Sequence, residues 1–189
     1  MESFLALFES LQDLVVNPTW GSALILALAS TVNEVVAIFP LSIVISTQLI
    51  FTDSLTLTLI LKLIFLVSIP VGIGSAIGTL PLFYLSYFGG RKAIEKFKSH
   101  LRFSWSDVEK VNSKFQGQWY DEILFVFIRA LPIIPSIPLT IVAGIVRMSF
   151  GKYLVLTIVG LSIRMIFSLL IFGIGFINLS KLLVLIYNI

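Results

Sequence analysis

The sequence predicts an all-α polytopic membrane protein: an inverted repeat of two re-entrant helical hairpins, each followed by a transmembrane helix, with amphipathic interfacial helices added. Three observations carry that expectation. The 189 residues are 58% apolar and include sixteen Phe, with a mean hydropathy of +1.05, a composition that a water-facing surface does not tolerate. Two long apolar stretches are interrupted by charge or proline, where an ordinary span would be continuous. The interrupted stretches also share a pattern, FPLSIVIS at 39–46 against IPLTIVAG at 137–144, with four identities and Ser42 opposite Thr140.

Phe4, Leu7, Phe8, Leu11, Leu14 and Val15 recur at helical spacing with Glu9, Gln12 and Asp13 opposite. Residues 3–16 are therefore expected to form a helix lying in the membrane interface. The same segment has no basic n-region, which predicts an N-terminus that is retained. Residues 20–51 are apolar for longer than one span requires, yet Asn33, Glu34 and Pro40 interrupt them. Two half-helices of about 15 residues each rise only about 22 Å, short of the ~30 Å hydrocarbon core. A re-entrant hairpin fits, and a single kinked span is the rival.

Residues 55–88 are expected to cross once, with Lys62 near enough to the end to snorkel. Their Gly74-Ser-Ala-Ile-Gly78 is a small-xxx-small pattern that lets another helix approach the backbone closely. Residues 89–122 hold Arg91, Lys92, Lys96, Lys98, Arg102, Lys110 and Lys114, so the positive-inside rule makes this amphipathic loop cytoplasmic. Within it, Ser106-Asp-Val-Glu109 resembles a capping box opening a short helix, and the basic residues would meet anionic inner-leaflet headgroups.

The second broken segment, 123–146, contains Arg129, Pro132, Pro135, Pro138 and Gly144; 150–177 is a span with Arg164 near its centre. A re-entrant 123–146 keeps Arg147 and Lys152 on the cytoplasmic side with the loop, leaving Lys62, Arg129, Arg164 and Lys181 elsewhere. One crossing between two hairpins makes them enter from opposite faces, as in transporters whose half-helix tips line a polar cavity near the midplane. Broken backbone at that depth needs protein or water to satisfy its freed amides and carbonyls.

Other function classes recede. The chain has no cysteine, which removes thiolate metal sites and Cys nucleophiles. The single histidine, His100, lies alone in the basic loop, which disfavours a metal centre or a Ser-His hydrolase. No catalytic residue, metal ligand or cofactor is assigned. The net charge of +3 follows from topology rather than from a nucleic-acid partner.

Phe125-x-x-x-Arg129-x-x-Pro132, then Ala143-Gly144-x-x-Arg147-Met148, Gly74-x-x-x-Gly78 with Tyr84 and Gly89-Gly90, and Glu34 ahead of Pro40 together resemble the DedA family, prokaryotic relatives of the VTT-domain lipid scramblases. The resemblance covers about residues 30–178. It implies a protein of a prokaryotic plasma membrane that moves lipids between leaflets, its partners being membrane lipids such as a polyprenyl-phosphate carrier or a phospholipid. Two charges common in the family are absent: Thr79 replaces an acidic residue and Pro135 a second arginine. Homo-oligomerisation stays open.

An arginine at membrane depth costs about 2.5–3.5 kcal/mol on insertion scales, so each needs a partner or a purpose. Arg129 is a candidate phosphate ligand, its planar fork suited to phosphate oxygens, or a structural partner of Glu34 or freed carbonyls. Glu34 is a candidate gate or proton site, or a fixed counter-ion. Arg164 is a candidate second phosphate contact or the partner of Glu34. Pro40, Pro132, Pro135 and Pro138 break helix, and Ser42, Ser136 and Thr140 can satisfy the groups they free. A proton- or ion-coupled small-solute carrier and a non-transporting membrane assembly factor are the alternative functions.

Overall fold

The computed structural model describes residues 12–36, 41–51, 56–96, 105–113, 120–132 and 134–174. Residues 3–11, 37–40, 55, 97–104, 114–119, 133 and 175–177 of the expected elements lie outside that set. Every regular element among the described residues is helical. After a helical turn at 12–16 come α1 (Trp20–Val36) and α2 (Leu41–Thr47), which continues as a 3-10 turn at Gln48–Phe51. Helix α3 is the long Leu57–Gly90. Then follow α4 (Trp105–Asn112), α5 (Asp121–Ala130), α6 (Ser136–Ile145) and α7 (Phe150–Ser168), which widens into a π turn at Leu169–Ile174.

Only α3, with 34 residues, and the helix over Phe150–Ile171, with 22, are long and apolar enough to cross a membrane among the described residues. Helices α5 and α6 have 10 residues each, a rise of about 15 Å. Helix α3 starts where the Thr56 hydroxyl accepts the Leu59 N–H at 3.2 Å. A π-helical turn at Leu63–Ser68 precedes Pro70, with the Ile69 N–H bonded to Ile64 O. That wider register is one way a helix accommodates a proline lacking its donor. At Gly90 the backbone turns to φ 54° and ψ −149°, a conformation open to glycine. Helix α4 begins at Trp105, one residue before Ser106, so Ser106 sits inside the helix rather than at its cap. Glu109 instead accepts the Trp105 indole N–H at 2.6 Å.

Packing centres on α3. A Cβ on Gly74 would stand 2.0 Å from Ala27 O, and one on Gly78 would stand 2.6 Å from Thr31 O, so α1 lies against the α3 backbone. Across that seam Ser30 Oγ donates to Val71 O at 3.2 Å, and Thr31 Oγ1 lies 2.9 Å from Gly74 O. Helix α7 crosses α3 at Gly72, whose Cβ would stand 2.9 Å from Ser162 N and 3.1 Å from Ile158 O.

The order of contacts fixes the directions. Tyr84 stacks on Phe150 and Phe83 on Tyr153; Gly72 meets Ile158 and Ser162, and Val67 and Val71 share a core with Met165 and Leu169. Helices α3 and α7 are therefore antiparallel. Helix α1 runs parallel to α3, with 27 beside 74 and 34 beside 78. Helix α5 runs parallel to α7: Glu122 bonds Lys152, and Val126 and Arg129 meet Gly160. The second short helix of each pair crosses to the other long helix. Gly144 of α6 packs on Phe83, Ser86 and Tyr87 of α3, while α2 packs on the π turn that ends α7.

Small polar residues share the interior with apolar side chains. Ser46, Ser68, Ser86, Thr140, Thr157 and Ser168 are fully buried, whereas Leu24, Leu28, Val32, Phe65, Val155, Val159 and Ile171 face outward. Inward Ser and Thr with outward Leu, Val and Phe is the distribution of a protein solvated by lipid, in which close backbone approach holds helices together. The fold is that of an all-helical membrane protein.

Thermal unfolding in detergent tests the glycine seam. Gly74→Ala is expected to lose about 1–3 kcal/mol, since its new methyl meets backbone that cannot step aside. Gly151→Ala, with open space at its Cβ, is the control and should be neutral or gain up to roughly 1 kcal/mol. Equal behaviour of the two variants would remove the seam from the account.

Candidate functional site

Five helical segments line a half-open cavity of about 220 Å³. The end of α1 supplies Asn33 and Glu34, the start of α2 Leu41 and Ser42, and α3 contributes Val71 and Ser75. The break before α6 brings Pro135, Ser136 and Ile137, and α7 adds Leu161, Arg164 and Met165. Val71 and Ser75 stand at the middle of Leu57–Gly90, and Leu161 is at the middle of Phe150–Ile171. The cavity thus lies halfway along both long helices, where the broken ends of the two short pairs approach each other.

Its polar groups are held from outside. Glu34 Oε1 accepts the Ser136 hydroxyl at 2.6 Å, joining the end of α1 to the start of α6. Gly78 permits this because a Cβ there would come within 2.8 Å of the Glu34 Cβ. Arg164 directs Nη2 at two carbonyls of the break, Pro132 O at 2.8 Å and Ile134 O at 3.1 Å. These carbonyls precede α6, and Pro135 and Pro138 supply no N–H in their place. Arg164 therefore meets the requirement that non-helical backbone at membrane depth be satisfied by protein. Arg164 and Glu34 line one cavity without a salt bridge within 4 Å between them, unlike Lys152 and Glu122.

Arg129 occupies a second centre. It is 1% exposed and is not among the residues lining the cavity. Its Nη2 donates to Thr140 Oγ1 at 3.0 Å and to Tyr153 OH at 3.4 Å. Tyr153 in turn donates to Thr79 Oγ1 at 2.7 Å, and Thr79 donates to Ala76 O at 2.7 Å. The guanidinium carbon lies 5.3 Å from the Phe125 ring centroid and 5.5 Å from that of Tyr153. Desolvated cation–π contacts of this kind contribute about 2 kcal/mol each, comparable with the insertion cost of the charge. Nε and Nη1 are buried without a partner among the described residues.

The two centres touch the same face of α6, because Ser136 bonds Glu34 and Thr140, one turn on, bonds Arg129. Thr140 Oγ1 also donates to Ser136 O at 3.1 Å. Of the expected site residues, Glu34, Arg164 and Pro135 meet at the cavity. Gly74 and Gly78 pack α1, and Gly144 packs α6. Pro132 presents its carbonyl to Arg164, Pro138 lies in the first turn of α6, and Pro40 is outside the described residues.

Tyr153, absent from the expected set, links Arg129 to Thr79 across three helices. As a phenol inside the apolar run 150–177 it carried the signal of a buried polar head seeking a partner.

The family model for the VTT domain matches residues 39–173, well over half of the chain. The match takes in both long helices, α5 and α6 with Arg129, and Arg164; Glu34 precedes it. The chain matches no curated protein and no solved structure. With both long helices and the broken segment between them inside the match, the chain belongs to the VTT-domain family, the DedA or SNARE-associated membrane proteins.

Proposed function

We propose that this protein translocates a phosphate-bearing lipid, a polyprenyl-phosphate carrier or a phospholipid, between the leaflets of a prokaryotic plasma membrane. The observation that carries the reading is the half-depth cavity, where the broken ends meet and Glu34 and Arg164 present opposite charges. Substrate sites of transporters built from broken helices lie at that level.

The register of contacts supports two opposed re-entrant hairpins. Helix α1 advances beside α3 to the level of Gly78, and the chain returns through α2 to the end of α7. That end lies at the same side as the start of α3, because the long helices are antiparallel. Helix α5 leaves the opposite side beside Lys152, and α6 returns to it beside Ser86 and Tyr87. In this arrangement Arg147, Lys152 and loop 89–122 share the cytoplasmic side, in keeping with the positive-inside rule.

Arg164 is then the cation that meets the lipid phosphate in the conformation described. Arg129, with Nε and Nη1 unpartnered, becomes a second phosphate ligand when α6 shifts. Glu34 is the gate, because its bond to Ser136 ties α1 to α6 across the cavity.

In liposomes carrying a fluorescent phospholipid or a polyprenyl phosphate, the purified protein is expected to speed leaflet exchange. Arg164→Gln should slow it about tenfold or more, the loss of one hydrogen-bonded charge contact. Equal exchange with and without protein would end the proposal. The topology has its own test, convenient because the chain has no cysteine. Single cysteines at Ile123 and Val146, both exposed, should label from the same side of sealed vesicles; opposite-side labelling would make 123–146 a crossing segment.

A further inference from the structure

Three polar side chains outside the cavity are buried without a partner at one level of the fold. Ser68 and Ser168 are fully buried and Gln48 is 3% exposed. Ser68 Oγ, Ser168 Oγ and Gln48 Oε1 have no hydrogen-bond partner among the described residues. Neighbouring serines fare differently: Ser46 donates to Ser42 O at 2.6 Å and Ser86 to Leu82 O at 2.7 Å. That bond to the preceding turn is what a helical hydroxyl ordinarily makes, and a buried polar atom that makes none calls for an explanation.

Helical register brings the three together. Ser68, Val71 and Ser75 share one face of α3, and Leu161, Arg164 and Ser168 share one face of α7, at helical spacing. Gln48 follows Leu41 of α2 by two turns. Val71, Ser75, Leu161, Arg164 and Leu41 all line the cavity, so the unpaired groups continue its walls. They do so in one direction. A step back along α3 and a step on along α7 lead the same way, because these helices are antiparallel, and α2 runs to the π turn that ends α7. Leu49, Val67 and Leu169, each adjacent in sequence to one of the three, meet in a single apolar cluster.

Each of the three also stands where its helix leaves α geometry. Ser68 closes the π turn Leu63–Ser68, Ser168 directly precedes the π turn Leu169–Ile174, and Gln48 opens the 3-10 turn Gln48–Phe51. A change of register takes backbone carbonyls out of the regular ladder, and Pro70, just beyond Ser68, has no N–H to offer one. Carbonyls at such breaks are what hold small cations in transporters with discontinuous helices.

The donor set defines the ligand. An amide oxygen and free carbonyls are acceptors that cannot satisfy one another, and each hydroxyl adds lone pairs. A hard cation bound through oxygen meets all of them at once. None of the three side chains carries charge, so the set does not neutralise a divalent ion, which draws on carboxylates. At the cavity, Glu34 and Arg164 offset each other. We infer that Gln48, Ser68 and Ser168, with carbonyls of the adjoining π turns, bind a dehydrated monovalent cation of the sodium class. The site adjoins the cavity on the side away from loop 89–122, and the ion ties α2 to α3 and α7. It is independent of what the cavity carries.

The test measures binding of radiolabelled sodium to the purified protein in detergent, together with its melting temperature. Sodium chloride should raise the melting temperature above that in N-methylglucamine chloride at equal ionic strength, by a shift that saturates. Bound label should be displaced by unlabelled sodium and not by N-methylglucamine. Ser68→Ala and Ser168→Ala should each weaken sodium binding about tenfold or more, the loss of one contact in the set. Ser46→Ala, whose hydroxyl already serves Ser42 O, should bind sodium as the wild type does. The wild-type comparison needs no variant that folds: absence of displaceable label, or of the sodium-specific shift, would overturn the inference and leave the three groups to buried water. Sodium binding that survives both alanine variants would overturn it as well.

Discussion

The structure depends on helices meeting at backbone distance along α3. In hydrocarbon, association gains little from burying apolar side chains, because lipid tails are as apolar as leucine. What remains is close packing and hydrogen bonding between helices, and α3 supplies both. Gly74 and Gly78 admit the backbone of α1, and Gly72 admits that of α7. Ser30 and Thr31 then send hydroxyls to α3 carbonyls. A side chain on any of these glycines would push a neighbour away and open the cavity that all three helices line. The π turn before Pro70 belongs to the same design, since it keeps α3 continuous through a proline just ahead of Gly72.

Two arginines at membrane depth are stabilised in different ways. Arg164 spends Nη2 on two carbonyls of the break, so it repairs broken backbone while remaining at the cavity wall. Arg129 is stacked near two rings and bonded to two hydroxyls, with no carboxylate among those contacts. Its centre joins α5, α6, α7 and α3 through Thr140, Tyr153 and Thr79. Arg129 bonds α6 at Thr140 in the packed interior, whereas Arg164 lines the cavity, where the proposed function has it meet the lipid phosphate.

Composition and the interrupted apolar runs made the all-helical membrane class legible, and the small-xxx-small spacing identified the seam on α3. The short helices were legible too, because prolines and charges inside apolar runs limit helix length by simple rise. The pairing of charges was not legible. Glu34 and Arg129, one charge in each broken segment, are candidate partners by sequence. The partner that reaches Glu34 is instead Ser136, an inconspicuous hydroxyl 102 positions away. Such contacts depend on how helices rotate about their own axes, and apolar periodicity fixes rotation poorly when mean hydropathy is high on every face. Arg164 was harder still, since its partners are carbonyls, which every residue carries and no sequence marks.

Helix α6 joins the two centres. Its hydroxyls at 136 and 140 lie one turn apart, one bound to Glu34 at the cavity and the other to Arg129 in the packed interior. On the proposed function, a headgroup that drew Glu34 away from Ser136 would release α6 at its start while Thr140 still held it one turn on. The helix then has a hinge rather than a free end, and Gly144, packed on α3, limits how far it swings. Motion of that kind would widen the cavity toward the side where α6 returns, without breaking the α1–α3 or α3–α7 seams. On that reading the hydroxyl pair would separate opening of the site from loss of the fold, as a membrane protein needs when the polar groups proposed to bind cargo also satisfy its broken backbone.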